Sequence, residues 1–159
     1  MFKNWFKNLL NRKKPKPIVS AFAAVDITHI KAEETVGLNF ISAIEAHQNW
    51  KKRLTSVVDG SSAETLQVEV VSRDDQCLLG KWIHSTGTQK FSSLVQFEQL
   101  QKNHAHFHSC AGKVLHLAQT QDKSTALAEL KDGHYAQASQ QVIRDLVAVY
   151  TQVNNSNSF

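Results

Sequence analysis

The chain has 159 residues, 42% of them hydrophobic and 20% charged, with six Gly, two Pro and two Cys. That is one domain's length, able to bury a core without disulfide staples, and so few Gly and Pro favour helices over a turn-rich sandwich or barrel. Residues 1–17 carry Lys3, Lys7, Arg12, Lys13, Lys14 and Lys16 and no acid, so the net charge of +4 sits in that tail and the body lacks the basic footprint of a nucleic-acid binder.

In the tail, Phe2, Trp5, Phe6, Leu9 and Leu10 recur at three- and four-residue spacings, with Lys3, Asn4, Lys7 and Asn8 opposite. This predicts an amphipathic helix that Pro15 and Pro17 terminate. Aromatics on one face and lysines on the other suit a helix lying on an anionic membrane surface, and docking on a protein is the competing reading. The apolar run and small-residue cleavage site of a signal peptide are missing, and no apolar run is long enough to span a bilayer. Residues 18–35 read as a helical or extended linker, its apolar stripe broken by Asp26, Lys31, Glu33 and Glu34.

From residue 36 to residue 153 the pattern is that of a helical bundle. Phe40, Ile41, Ile44, Leu54 and Val58 predict a long helix ending near Asp59-Gly60. Ser61 to Glu64 resembles a capping box while Leu66, Val68 and Val70 alternate as in a strand, so that segment stays open. Ser72 and Asp75 read as the entry to a short helix over Cys77–Ile83, and Ser85–Thr88 as a loop. A helix from Ser92 to Gln121, a short one over Ser124–Leu130 and a last one from Tyr135 to Val153 follow. Residues 154–159 read as a disordered end. The expected fold is all-α: an antiparallel four-helix-type bundle with a short extra helix carrying Cys77.

Two His/Cys pairs at i, i+4 compete in residues 103–110, namely His104/His108 and His106/Cys110. Either shares a helix face and suits metal chelation. Phe97, Leu100, His104, His108, Ala111, Leu115 and Ala118 form the apolar stripe, so His104 and His108 face the core. Gln99, Lys102, Asn103, His106, Cys110 and Lys113 fall on the register expected to face water. An inward imidazole needs a partner, because an unpaired polar group in an apolar core costs a few kcal/mol. His47 joins the inward set, on the stripe of Phe40, Ile44, Leu54 and Val58. Cys77 lies at the start of its short helix, where backbone N–H groups favour a thiolate. Three imidazoles and one thiolate are a complete tetrahedral zinc set, and helix bundles build such sites between facing helices.

These residues carry a family resemblance. His47-Gln-Asn-Trp50, Cys77-Leu-Leu79-Gly80-Lys-Trp82 and His104-Ala-His-Phe-His108, separated by gaps of 26 and 21 residues, resemble the chemoreceptor zinc-binding domain. The resemblance runs from about Val36 to Val153, through the Phe107-His108 dipeptide and the Gly133-His-Tyr135 turn. It implies a helical bundle, usually dimeric, that binds one Zn²⁺ through His47, Cys77, His104 and His108. Trp50, Leu79, Gly80 and Trp82 then take structural roles, with Gly80 letting helices approach. Asp74 or Asp75 is expected to cap the Cys-bearing helix or to hold a ligand imidazole. His106 and His116 are read as solvated, His29, His84 and His134 as lying outside the site, and Cys110 as a bystander thiol.

The family's domain typically regulates receptors or cyclic-di-GMP synthases in the bacterial cytoplasm, with zinc or oxidation of the Cys as the signal. The expected function is a stand-alone zinc-binding regulator, a homodimer with a receptor or cyclic-di-GMP enzyme as partner, peripheral to the inner membrane through residues 1–17. A zinc-stabilised structural adaptor or metal buffer is the alternative. An enzyme is not expected, since four ligands close the zinc sphere that a catalytic site keeps open, and hydrolase, zincin and P-loop motifs are missing from the sequence.

Overall fold

The computed structural model describes residues 25–31, 33–120 and 122–156. The tail, residues 18–24 of the linker and residues 157–159 lie outside the described residues, and with them the amphipathic helix read at residues 2–10. Elements follow in the order β1 (Glu34–Thr35), β2 (Leu38–Asn39), α1 (Phe40–Asp59), α2 (Val68–Val71), α3 (Leu78–Trp82), a π-helical turn (Ile83–Gly87), α4 (Thr88–Phe91), α5 (Val95–Gln119), α6 (Lys123–Lys131) and α7 (His134–Ser156). Helix dominates, as the scarcity of Gly and Pro implies. Among the described residues, no helix is long and apolar enough to cross a membrane.

The last part of the linker is a two-residue antiparallel hairpin, with Glu34 opposite Asn39 and Thr35 opposite Leu38. Val36 at its tip has φ +53°, a conformation that β-branched residues avoid. The Val36 carbonyl accepts the Trp82 indole N–H at 2.9 Å, which holds the strained turn against the body. Asn39 then caps α1, its side-chain oxygen accepting from the Ser42 N–H at 2.9 Å. The stripe read on α1 is the buried one: Phe40, Ile44, His47, Leu54 and Val58 face inward. Gly60, with φ +85°, closes the helix as expected.

Helix α5 is the central element. It packs along α7, against α6 and α2, and across α1, while α6 and α7 also contact α1. Its apolar face is therefore wider than one stripe: Phe107, Cys110, Gly112 and Val114 are buried together with Phe97, Leu100, His104, His108, Ala111 and Leu115. This corrects the outward placement of Cys110, which is 8% exposed. The α5 register read as water-facing meets α7 along part of its length. There Asp145, itself buried, accepts from the Asn103 side-chain N–H at 2.7 Å and from Gln141 at 2.8 Å. Burial raises the Asp145 carboxyl above its ordinary range, and those two donors oppose the rise.

Other local readings change as well. Residues 61–67 have no regular structure and lead into the single turn α2, so the alternation of Leu66, Val68 and Val70 makes no strand. Ser72 ends α2 and does not open the next helix. The loop expected at Ser85–Thr88 is helical, running from α3 through the π-helical turn into α4. Gly87 and buried Ile83 lie in this turn, and the Ile83 carbonyl accepts from both the backbone N–H of Thr88 and its Oγ1–H, the latter at 2.7 Å. At the far end, α7 passes Val153 and runs through Asn154 and Asn155 to Ser156, where the polar composition had suggested disorder.

Candidate metal centre

Cys77, His104 and His108 converge: each offers a ligand atom, and these atoms lie within 4.8 Å of one another. Helix α5 brings His104 and His108 to one face, their ring centroids 4.7 Å apart. Cys77 arrives from the residue before α3 and is itself that helix's N-cap, its sulfur accepting from the Gly80 N–H at 3.3 Å. The expected entry at Ser72 and Asp75 is thus moved to the cysteine. The Cys77 sulfur lies 3.4 Å from His104 Nε2. From α1, the His47 ring stands 5.5 Å from that of His104 and 4.9 Å from Phe107.

Two of the imidazoles are orientated from behind, while His104 Nδ1 is buried without a hydrogen-bond partner among the described residues. A carbonyl can only accept, so His47 Nδ1–H donates to the Ala43 carbonyl at 2.9 Å and His108 Nδ1–H donates to the Val71 carbonyl at 2.8 Å. Both tautomers are thereby fixed with the Nε2 lone pair free, which is the form that binds a metal. His47 Nε2 and His108 Nε2 are buried and have no hydrogen-bond partner among the described residues. A buried acceptor left without a partner costs about 1–3 kcal/mol; a cation among Cys77, His104 and His108 would relieve His108 Nε2, whereas His47 is not among the three converging residues. The donor set, soft thiolate with imidazoles, suits zinc.

Ala43 is one helical turn before His47, so its role was open to sequence reasoning from the i−4 position alone. Val71 was not, because tertiary packing brings it to His108. Gly112 eases that packing: a Cβ there would stand 1.9 Å from Ser72 Oγ and 3.0 Å from Ser72 Cβ, so the serine would have to give way for any larger residue. Among the described residues, no carboxylate hydrogen-bonds to a candidate ligand ring. Asp74 bonds His84 Nε2 at 2.8 Å, and Asp75 pairs with Arg73 at 2.7 Å.

Gly80 also has a different partner from the one expected. A Cβ on it would lie 1.6 Å from the Asp74 carbonyl oxygen, so the residue accommodates the turn before Cys77 and not a neighbouring helix. Backbone cannot swing aside as a side chain can. Gly80→Ala should therefore cost about 2–3 kcal/mol, at or above the upper end for overpacking, read as a lower denaturant midpoint. Trp82 is buried, its ring edge-on to Phe40 and Phe97 at 5.9 and 5.8 Å. Leu79 is buried too, and Trp50 is half-buried beneath the Arg53 guanidinium, 4.5 Å from its ring centroid.

Burial dominates the electrostatics. It lowers the His104 imidazole to about 2, with His108 and His47 adding to the effect. It lowers His47 to about 4 against the raising effect of the Ala43 carbonyl, and lowers His108 as well. These rings are neutral at pH 7, ready to bind a cation. The Cys77 thiol is raised by burial, and the N–H groups of Gly80 and Leu79 only offset this in part. The expectation of a dipole-favoured thiolate is thus reversed, and a metal must displace the thiol proton. A cleft of about 360 Å³ reaches Cys77 and His108 from the side of Trp50 and Val71, and one of about 420 Å³ reaches Cys77 and His47 from the side of Leu78.

Comparison with protein families decides what this cluster belongs to. Residues 47–115 match the chemoreceptor zinc-binding domain. No curated protein and no solved structure matches the chain. The resemblance read from the motifs is thereby borne out over these residues. The matched segment opens on His47 and contains Cys77, His104 and His108, so it spans the candidate ligands. The remaining histidines stand apart from the cluster. His29 Nε2 lies 3.3 Å from Thr151 Oγ1, His134 Nδ1 lies 3.3 Å from Glu129, and His106 and His116 are exposed. Cys110 is close to His106, 3.6 Å from sulfur to Nε2, and burial raises its thiol.

Proposed function

We propose that this chain is a zinc-binding regulatory module in which His47, Cys77, His104 and His108 hold one Zn²⁺ within a four-helix-type bundle of α1, α5, α6 and α7. The observation that carries the reading is the meeting of the Cys77 thiol with the buried imidazoles of His104 and His108, with the His47 ring 5.5 Å from that of His104 and the Nε2 atoms of His47 and His108 unpartnered among the described residues. When bound, the metal supplies a cross-link between three chain segments. His47 ties in α1, Cys77 the start of α3, and His104 and His108 tie in α5. Loss of metal, or oxidation of Cys77, frees α3 and the turn before it from α5. That movement is the signal we propose for a partner, a receptor or cyclic-di-GMP enzyme, with the module acting as a homodimer in the bacterial cytoplasm. The basic residues 1–17 hold it at the anionic inner surface of the membrane. It binds and does not catalyse.

No candidate ligand of this zinc lies on α7, and Phe40, Ile44, Leu54 and Val58 of α1 are buried without being ligands. Purified protein should hold one zinc per chain, and chelation should leave its helical circular dichroism largely intact while changing amide exchange around residues 72–83. Unfolding on chelation would instead assign the zinc a purely structural role. Absence of zinc would overturn the reading.

A further inference from the structure

We infer that the cleft between α5, α6 and the start of α7 is a second divalent transition-metal site, formed by His106, Cys110, Glu129 and His134. These residues line one cavity of about 210 Å³, together with Ser109 and Lys113. They come as two pairs, each in contact within itself. Rotation of the exposed His106 and His134 side chains must bring the pairs together, since their donor atoms do not converge as those of the buried centre do. His106 and Cys110 are one turn apart on α5, with sulfur 3.6 Å from Nε2. Glu129 and His134 face each other across the turn from α6 to α7, with carboxylate 3.3 Å from Nδ1.

The carboxylate is held at the start of α7. Glu129 Oε2 accepts the backbone N–H of His134 at 2.8 Å, leaving Oε1 towards the imidazole. Its side chain is only 17% exposed, whereas that of His134 is 70% exposed and can rotate over the cleft. His106 is exposed as well, while Cys110 forms the floor. A thiolate, two imidazoles and a carboxylate are a zinc-type donor set. Such an ion would bridge α5 to the junction of α6 and α7. Lys113 at the rim carries its charge on a flexible stem and can turn away, though it weakens the site. The half-open cleft therefore takes a metal less tightly than the buried centre.

The test uses the full chain with its first zinc bound, titrated with Co²⁺. One further equivalent should bind with a thiolate-to-cobalt charge-transfer band. That band should vanish in Cys110→Ser and Cys110→Ala, and binding should weaken at least tenfold in His106→Ala and His134→Ala. The same band should appear in Cys77→Ser, which separates failure of this site from failure of the buried one. Alkylation of Cys110 should slow when the second equivalent is present. No second equivalent, or a band that persists without Cys110 in variants of unchanged helicity, overturns the assignment.

Discussion

Cys77→Ser should weaken retention of the tightly held zinc by more than about 100-fold, beyond the 10–100-fold that loss of a supporting contact brings. The substitution replaces a soft anionic ligand by a neutral hydroxyl while keeping the side chain's size and its ability to cap α3. Helix content should therefore hold while metal is lost. His104→Ala should act as strongly, since His104 Nε2 is the imidazole atom next to the sulfur. His47→Ala tests the fourth ligand. If His47 merely packs against Phe107, retention should change little. If it ligates, the loss should match that of His104. Competition with a chromophoric chelator reads all three. His106→Ala and Cys110→Ser should leave this tight zinc in place, because their cleft lies on the α6–α7 side of α5. A larger effect from the outer pair than from the inner one would overturn the ligand assignment.

What made the centre legible beforehand was periodicity. On α1 and α5 a stripe of large apolar residues ran through His47, His104 and His108, and an imidazole on such a stripe is forced inward whatever the loops do. Cys77 was legible by its position near a helix start, but not in its role. A cysteine sulfur that caps the helix is a substitute for the usual Ser or Asp, and capping rules pointed to Ser72 and Asp75 instead. The helical character of residues 84–91 escaped because Ser85, Thr86 and Gly87 are loop formers locally. The fit of Gly87 under Phe97, 2.7 Å from where a Cβ would stand, is tertiary information. Cys110 and Asp145 were missed for a common reason. A helix at the centre of a bundle is covered on more than one side, so its polar register is buried where a neighbour lies over it. Val71 acts through a main-chain carbonyl brought to His108 by tertiary packing, which no side-chain pattern encodes, whereas the Ala43 carbonyl lies one turn before His47 on the same helix.

Acid should destabilise the metal-free protein steeply between about pH 6.5 and pH 4. The sign follows from the buried rings. His47 is lowered to about 4 and His104 to about 2, while an unfolded chain returns both to the ordinary 6.5. Within that window the unfolded state binds more protons, so stability rises with pH. The contribution is full above pH 6.5 and falls away as pH drops towards the folded-state values. His47 alone accounts for about 3 kcal/mol by pH 4, at about 1.4 kcal/mol for each pH unit. His104 and His108 steepen the slope, and a neutral pocket cannot charge all three rings at once without repulsion. Urea midpoints of chelator-treated protein should therefore drop sharply across this range. His47→Gln, which removes the titrating ring, should flatten the curve. Zinc-loaded protein should resist to lower pH, because protons must first displace the metal from neutral imidazoles and a thiolate. If stability is level from pH 7 to pH 4.5 in the metal-free chain, the inward histidines are not buried as neutral bases, and the preorganised centre fails with them.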